Sequence, residues 1–337
     1  MSADVRVGLV GCGRVATIGY LPALSRARGL RLTAVADPVL SRCHEAAPTV
    51  PAFADARSMI AAGLVDAIVL ATPASTHLTD ARYAAAAGLA TLVEKPPAAN
   101  AEEAAALVAL SPRPWVGFNR RFDPLLQQLR TRVPATGPIA LSVELHYASG
   151  SWRPYMVDDD ALLSVGTHLI DLARWLTGSE ARRVRTRSLS KSRADLDLEL
   201  DRGSVFLSCA TDQPPRDRIV VSDASGRVVA RHDGVHLVAK ASTLWTMIRN
   251  KRLRRLIHPA SRTLLVRLLI QELEAFATAV RSRTNDNGPS LLASAVDGLA
   301  VMTVVDAARR SAVESFSWQP SVINVVDAGH SAAVVSC

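Results

Sequence analysis

The sequence predicts an α/β domain with a parallel sheet, followed by an α+β domain whose sheet is open and mostly antiparallel. In the first third of the chain, short apolar segments alternate with alanine-rich stretches of helical length, which is typical of βαβ units. Residues 139–147 instead alternate apolar and polar positions, as strands do when one face of a sheet is solvated. At 337 residues the chain exceeds a typical single domain, so we expect two.

The first apolar segment runs directly into a glycine-rich turn. Residues 5–10 are followed by Gly11-Cys12-Gly13-Arg14-Val15-Ala16. Gly11 and Gly13 permit a tight turn and the close approach of a pyrophosphate, and Ala16 lets the next helix pack against the strand. Unpaired N–H groups at a helix start favour phosphate. The pattern predicts a Rossmann-type dinucleotide site that includes Gly11, Gly13, Arg14 and Val15.

A second apolar segment, residues 32–36, ends in Asp37. This is about the distance at which such folds place the carboxylate that binds the adenosine ribose hydroxyls. A carboxylate at this position would repel a 2′-phosphate, so the sequence favours NAD. Arg42 lies close enough downstream to leave NADP open.

The remaining pattern predicts the element order and the domain boundaries. In the first domain we expect strands at 66–71, 91–93 and 114–118, a helix at 75–87 closed by Gly88, and a helix from Ala101. In the second we expect strands at 195–200, 205–209 and 219–221 and helices at 264–280 and 290–312. The predicted domains are 1–119 and 120–317, with a tail at 318–337.

The positive charge of the chain is local. The formal net charge is +8, and residues 234–271 contain eight basic residues and no acidic one. Apolar residues interleave with the basic ones over about 240–264. Such a segment can lie on a membrane or an acidic partner, here through residues 240–267, but it is more often a solvated face of its own domain. We prefer the second interpretation.

Composition excludes several other classes of protein. The aromatic content of 4% argues against base-stacking platforms for nucleic acid. No apolar run is long enough to cross a bilayer, and no basic leader precedes the first strand. The four cysteines are widely separated and show no CxxC or Cys/His ligand spacing. We therefore expect a cytoplasmic protein without a metal ion.

Four motifs together resemble the glucose–fructose oxidoreductase/inositol dehydrogenase (Gfo/Idh/MocA) family. They are the glycine turn, Thr72-Pro73 with His77, Glu94-Lys95-Pro96, and Gly166-Thr167-His168-Leu169-Ile170-Asp171, in the family's order. The resemblance runs to about residue 315, and the basic segment looks like an insertion. It implies a homodimer or homotetramer. It also implies hydride transfer between a nicotinamide and a secondary alcohol or ketone of a sugar, sugar nucleotide or cyclic polyol.

The resemblance also implies residue roles. Thr72, Pro73 and His77 are placed along the nicotinamide side of the cofactor cleft, with Glu94 and Lys95 beside them. Lys95 follows an apolar strand and precedes two prolines that restrict the backbone, so its ammonium is suited to hold a substrate oxygen and stabilise an alkoxide. His168 is the expected acid/base, because imidazole exchanges a proton near neutral pH.

One position departs from the family pattern. Many members carry Asp four residues before the histidine, and here that position is Ser164. An Asp would raise the pKa of His168, whereas serine brings no charge. Either an acid of the run 158–160 takes the place of the family's Asp, or turnover is slower or different. The three acids of this run are equally explained as a solvated loop. Candidates for the substrate wall are Asn119, Arg121, Tyr147, Trp152, Arg153, Ser164 and Asp171.

Two other functions remain open on the sequence. The first is a glycosidase that uses tightly held NAD for transient oxidation, as in one branch of the family. The second is a non-catalytic nucleotide-binding or docking protein, which Ser164 and the basic segment suggest. The leading hypothesis is the oxidoreductase, because Lys95 and His168 are both present. The substrate and the direction of the reaction are not determined by the sequence.

Overall fold

The computed structural model describes residues 4–148, 159–234, 259–282, 291–314 and 323–324. The chain divides into two compact units. Unit 1 comprises Met1–Ala99, Glu103–Phe122 and Arg262–Leu299, and unit 2 comprises Asn100–Glu102, Asp123–Ser261 and Ala300–Cys337.

The strands are β1 (Val5–Val10), β2 (Leu30–Ala36), β3 (Ala52–Phe53), β4 (Ala67–Leu70), β5 (Ala90–Glu94), β6 (Trp115–Gly117), β7 (Ile139–Ala148), β8 (Ala181–Leu189), β9 (Arg193–Leu200), β10 (Gly203–Ala210), β11 (Asp212–Asp223), β12 (Val228–Asp233), β13 (Ala293–Ser294) and β14 (Ile323–Asn324).

The α-helices are α1 (Leu21–Leu24), α2 (Leu40–Ala46), α3 (Ala56–Ala61), α4 (Ala74–Ala86), α5 (Ala101–Val108), α6 (Pro124–Arg130), α7 (Thr167–Thr177), α8 (Pro259–Ser282) and α9 (Ala295–Glu314). A π-helical turn precedes α1 at Ala16–Tyr20 and another precedes α7 at Leu162–Gly166. A 3₁₀ turn spans Asn119–Phe122.

Unit 1 is built on a seven-stranded sheet with the order β13-β6-β5-β4-β1-β2-β3. Every pair in it is parallel except β13 with β6. All four residues of β4 and four of the five in β5 are buried, as expected for strands covered on both faces. The prediction of a parallel Rossmann sheet is confirmed.

The edge strand β13 corrects one sequence-based prediction. A helix was expected from residue 290, but Ala293 and Ser294 pair with Val116 and Trp115, and the helix begins at Ala295. The side chain of Ser294 accepts from the N–H of Asp297, while the Asp297 carboxylate accepts from the N–H of Ser294. This reciprocal capping box fixes the helix start.

Helix α8 completes the core of unit 1. Its Leu269, Leu273 and Phe276 are fully buried in the same apolar cluster as Tyr20 and Trp115. The rings of Phe276 and Trp115 meet edge to face, with centroids 5.7 Å apart. The predicted domains followed chain order and assigned this helix to 120–317, whereas the compact units group most of it with the first part of the chain.

Unit 2 is built on a second seven-stranded sheet with the order β12-β11-β7-β10-β9-β8-β14. Only β7 and β10 are parallel, so the predicted open, mostly antiparallel sheet is confirmed. On β9, Ala194, Leu196 and Leu198 are buried, and Asp197 between them pairs with Arg185 on β8 at 2.8 Å. One face is therefore apolar and the other carries paired charges, and α7 packs against β7 and β10.

Two of the predicted features fall outside the structural description. Most of the basic segment and almost all of the tail after residue 317 lie beyond the described residues. In the part of the chain that is described, no helix is long and apolar enough to span a membrane. The same described ranges contain no cluster of three or more His, Cys, Asp or Glu residues arranged to hold a metal ion.

Candidate functional site

The turn after β1 requires glycine at its first position. Gly11 has a φ of +92°, and a Cβ there would lie 2.6 Å from the carbonyl oxygen of Ala71. Around Gly13 the corresponding space is open, with nothing within 4 Å. Ala16, which starts the following π-helical turn, is fully buried. The turn thus has a tight side toward the protein and an open side suited to a pyrophosphate.

Asp37 is locked onto this turn. It is 5% exposed and directly follows β2. Its Oδ2 accepts from the N–H of Cys12 at 2.9 Å, and its Oδ1 accepts from the N–H of Val39 at 2.8 Å. The Arg42 guanidinium lies 3.9 Å from Oδ1. A carboxylate fixed beside the glycine turn suits the ribose hydroxyls of NAD, so the residues present fit this cofactor.

His77 connects the loops that follow β4 and β5. The ring is fully buried, with Nε2 2.9 Å from the carbonyl oxygen of Thr72 and Nδ1 3.2 Å from that of Pro97. Burial lowers the pKa of His77 to about 4, although both carbonyls oppose the shift. The imidazole is therefore neutral near pH 7. It holds the Thr72-Pro73 loop against the loop that follows Lys95, and its direct contact with the cofactor stays a prediction.

Lys95 and Glu94 stand at the carboxyl end of β5. The Lys95 N–H donates to Glu94 Oε2 at 2.9 Å, and the Lys95–Pro96 peptide is cis. Lys95 is partly exposed, whereas Glu94 is buried. The hydroxyl of Tyr20 donates to Glu94 Oε1 at 2.8 Å. Burial raises the pKa of Glu94, and the Lys95 charge and the Tyr20 hydrogen bond oppose that rise.

In unit 2, α7 begins one residue before His168, directly after the π-helical turn. His168 is half-buried and Asp171, three residues on, is fully buried. Ser164 donates its hydroxyl to the Asp160 carbonyl at 2.8 Å and also shares a hydrogen bond with Tyr147. Burial raises the pKa of Tyr147 and this bond opposes the rise. The structure therefore brings Tyr147 and Ser164 together.

In the acidic run before Ser164, the side chain of Asp160 makes structural contacts. Its Oδ1 accepts from the N–H of Leu163 and its Oδ2 from Arg309, both at 2.8 Å. Both carboxylate oxygens are thus occupied in capping the π-helical turn and binding α9. Asp158 lies outside the described residues. Asp160 is thus engaged in structural contacts, and the replacement of the family's Asp by an acid of this run stays a prediction.

The remaining substrate-wall candidates differ in setting. Asn119 and Arg121 are buried in the 3₁₀ turn, and the Arg121 guanidinium lies 3.2 Å from Asp297 Oδ1. Trp152 and Arg153 lie outside the described residues. Roles for all of them in binding a substrate stay predictions.

Sequence reasoning missed two residues beside the site, Tyr20 and Glu272. Both are fully buried, and charge interactions couple each of them to Glu94. The signal for Glu272 was its place on the apolar stripe of α8, three residues after Leu269 and four before Phe276. A glutamate is rarely fully buried unless it interacts with another polar or charged group, so its presence on this stripe indicates such an interaction.

A parallel sheet with a glycine turn after β1 and a fixed carboxylate after β2 defines a dinucleotide-binding protein of the Rossmann class. The family model described as "Oxidoreductase family, NAD-binding Rossmann fold" matches residues 5–113. The rhizopine catabolism protein MocA of Rhizobium meliloti is 30% identical over 320 residues, covering 90% of this chain and 93% of that protein. The chain belongs to the Gfo/Idh/MocA family of NAD-binding oxidoreductases, which confirms the resemblance.

Two further proteins that the chain resembles, one in sequence and one in fold, are inositol dehydrogenases. Inositol 2-dehydrogenase of Corynebacterium glutamicum is 32% identical over 210 residues, covering 57% of this chain and 61% of that protein. Scyllo-inositol dehydrogenase of Lactobacillus casei, solved with NAD(H) and scyllo-inositol, superposes with a TM-score of 0.75 at 16% identity and covers 96% of this chain and 99% of its own. The second similarity shows a shared two-domain fold.

Proposed function

We propose that this protein is an NAD-dependent dehydrogenase that interconverts a secondary alcohol and the ketone of a cyclic polyol or related sugar. The observation that carries the proposal is the position of Lys95 at the carboxyl end of β5. The glycine turn and Asp37 follow β1 and β2 of the same parallel sheet, and ligands bind at this edge of such sheets. The polyol class is supported by the inositol dehydrogenases among the relatives.

In this proposal, the ammonium of Lys95 binds the substrate oxygen. Its main chain is held by Glu94 and followed by two buried prolines, so the ammonium projects from a fixed backbone. A fixed cation stabilises the alkoxide that develops when the alcohol loses its proton, without reorganisation at the moment of reaction.

His168 is assigned the proton. In the oxidation, the alcohol O–H bond breaks and its proton passes to the imidazole. The carbon loses a hydride, and the C–O single bond of the alcohol becomes the C=O double bond of the ketone. Bound NAD⁺ supplies the hydride acceptor. In the reverse direction the imidazolium returns the proton to the oxygen. Ser164 stands where many family members carry Asp, so at that position no carboxylate strengthens His168 as a base.

The test is oxidation of myo-inositol and scyllo-inositol by the purified protein with NAD⁺, followed as NADH formation. Lys95→Met is expected to lower kcat by about 10²- to 10³-fold, as for loss of one oxyanion donor, while NAD binding persists. Lys191→Met, which removes a positive charge at the exposed turn between β8 and β9, is the matched control and should keep wild-type turnover. Equal turnover in wild type and Lys95→Met contradicts the lysine role.

The same assay separates the proposal from its alternatives. Release of free sugar from a glycoside without net NADH would identify a glycosidase instead. NAD binding without turnover across a panel of polyols and sugars would leave a nucleotide-binding protein that is not an enzyme. We also propose that the protein is cytoplasmic and that it forms a homodimer or homotetramer. Light scattering of the purified protein measures its molar mass and so tests the proposed assembly.

A further inference from the structure

Three ionisable side chains lie together in the apolar core of unit 1. Tyr20 comes from the turn that follows the glycine loop, Glu94 from β5 and Glu272 from α8, and none is more than 4% exposed. Three elements distant in sequence thus place a phenol and two carboxyl groups in one buried location. The surrounding side chains include Leu269, Leu273 and Phe276, so hydration stabilises the ionised forms of these groups only weakly.

Glu94 has donors for both of its carboxylate oxygens. The Tyr20 hydroxyl donates to Oε1 at 2.8 Å and the main-chain N–H of Lys95 donates to Oε2 at 2.9 Å. The ammonium charge of Lys95 also favours the ionised form of Glu94. Because a charge interaction is mutual, an ionised Glu94 in turn favours the charged form of Lys95.

Glu272 has the opposite environment. Both of its carboxyl oxygens are buried, and neither finds a hydrogen-bond partner among the described residues. An isolated ionised carboxylate in such a setting costs several kcal/mol or more, so the group keeps its proton instead. Burial and the nearby charge of Glu94 both raise the pKa of Glu272 well above its usual value.

The groups that face Glu272 account for this asymmetry. Glu94 on β5 and Tyr20 interact electrostatically with it, and the positive charge of Lys95 acts on Glu94. Two carboxyl groups that interact electrostatically in an apolar core do not both ionise at neutral pH. The proton goes to the carboxyl group without donors, and the negative charge stays on the one that has them.

We propose that Tyr20, Glu94 and Glu272 form a buried unit that carries a single negative charge, located on Glu94, and that this charge positions Lys95 and keeps its ammonium protonated. Glu94 acts as the positioning residue, Tyr20 supports it by hydrogen bonding, and Glu272 is the neutral member. The link to catalysis rests on the proposed role of Lys95. The charge arrangement itself does not depend on that role.

The test reads the protonation of Lys95 without a substrate. Acetylation of Lys95 by acetic anhydride at a series of pH values, quantified by mass spectrometry, gives the pH midpoint at which the amine becomes reactive. Glu94→Gln is expected to lower this midpoint by about one pH unit, because it removes the charge and keeps the shape. Tyr20→Phe should lower it by less. Glu272→Gln should leave it in place, since it replaces one neutral group with another.

Infrared spectroscopy supplies the second readout. A protonated carboxylic acid has a C=O stretching band that an ionised carboxylate lacks. Wild type and Glu94→Gln should show such a band at pH 7, and Glu272→Gln should lose it. Glu274→Gln is the matched control, because Glu274 is on the same helix but at the surface, where it pairs with Arg28 at 3.2 Å. It should change neither readout.

The outcomes separate this inference from the proposed function. A midpoint that falls as far in Glu272→Gln as in Glu94→Gln, or that stays in place in Glu94→Gln, overturns the single-charge arrangement. Absence of the Glu272 infrared band also overturns it. Failure of the wild type to oxidise any polyol, with the expected midpoints and band, refutes the dehydrogenase assignment and leaves the charge arrangement supported.

Discussion

At the scale of single residues, His77 shows how the fold sets a protonation state. Its ring is enclosed between the loops after β4 and β5, and both ring nitrogens face main-chain carbonyls. A charged imidazolium would satisfy both carbonyls, but the loss of hydration outweighs that gain, and the pKa is about 4 instead of 6.5. The resemblance to the family implies that this residue lies along the nicotinamide side of the cofactor cleft, which stays a prediction, and it gives no indication that the ring is buried.

The first prediction follows from this pKa. Between pH 6.5 and 4 the unfolded chain protonates His77 and the folded chain does not, so stability falls as the pH falls. From pH 7 to 5 this costs about 2 kcal/mol. Urea unfolding at both pH values should show that His77→Asn loses about 2 kcal/mol less than wild type. His44→Asn, at an exposed histidine, should retain the wild-type pH dependence.

At the scale of elements, sequence periodicity located most strands and helices of both units. It did not predict β8 (Ala181–Leu189), and two further errors arose where a short segment depends on a partner. Residues 293–294 lie next to a strongly helical segment, and only their pairing with β6 makes them a strand. Strand β3 has two residues and exists through its pairing with β2. Such pairings join positions far apart in sequence, so the local hydrophobic pattern does not predict them.

The second prediction concerns the capping box that starts α9. Ser294→Ala removes the acceptor for the Asp297 N–H and is expected to cost about 1 kcal/mol of unfolding free energy. Urea denaturation of the purified protein measures it. Ser282→Ala is the comparison, because that hydroxyl donates to carbonyls at the end of α8 and caps no helix start. A loss in Ser282→Ala as large as that in Ser294→Ala would refute the capping explanation.

The candidate site shows the same contrast between features that are visible in the local sequence and features that depend on tertiary contacts. The glycine turn, Asp37 and Lys95 could be proposed from the sequence because each follows an apolar strand within a few residues. The pairing of Tyr147 with Ser164 and the buried group at Glu94 could not, because their members come from separate elements. The apolar stripe of α8 places Glu272 on the buried face of the helix, but its interaction with Glu94 becomes evident only once α8 is placed in the core of unit 1.

At the scale of the whole molecule, unit 1 is discontinuous in sequence. The third prediction is that a fragment of residues 1–122 does not fold cooperatively, because it lacks α8. Burial of Leu269, Leu273 and Phe276 contributes about 1.5–3 kcal/mol each, which together approaches the whole stability of a typical domain. Thermal unfolding followed by circular dichroism should show no transition for the fragment.

The complementary experiment joins residues 1–122 to 259–299 through a Gly/Ser linker. Recovery of a cooperative transition and of NAD binding is expected, because both parts of the core are then present. A cooperative transition in the shorter fragment alone would show that α8 is dispensable for the fold of unit 1.

This discontinuity also governs the protein's synthesis. Trp115 leaves the ribosome about 160 residues before Phe276, the ring that covers it. At usual elongation rates the interval is roughly 8 to 30 s. During that time the six parallel strands of the nucleotide-binding sheet have been made, but the sheet is open on the side that α8 closes. The newly made chain therefore exposes an apolar surface to chaperones, and to other nascent chains, until α8 has emerged.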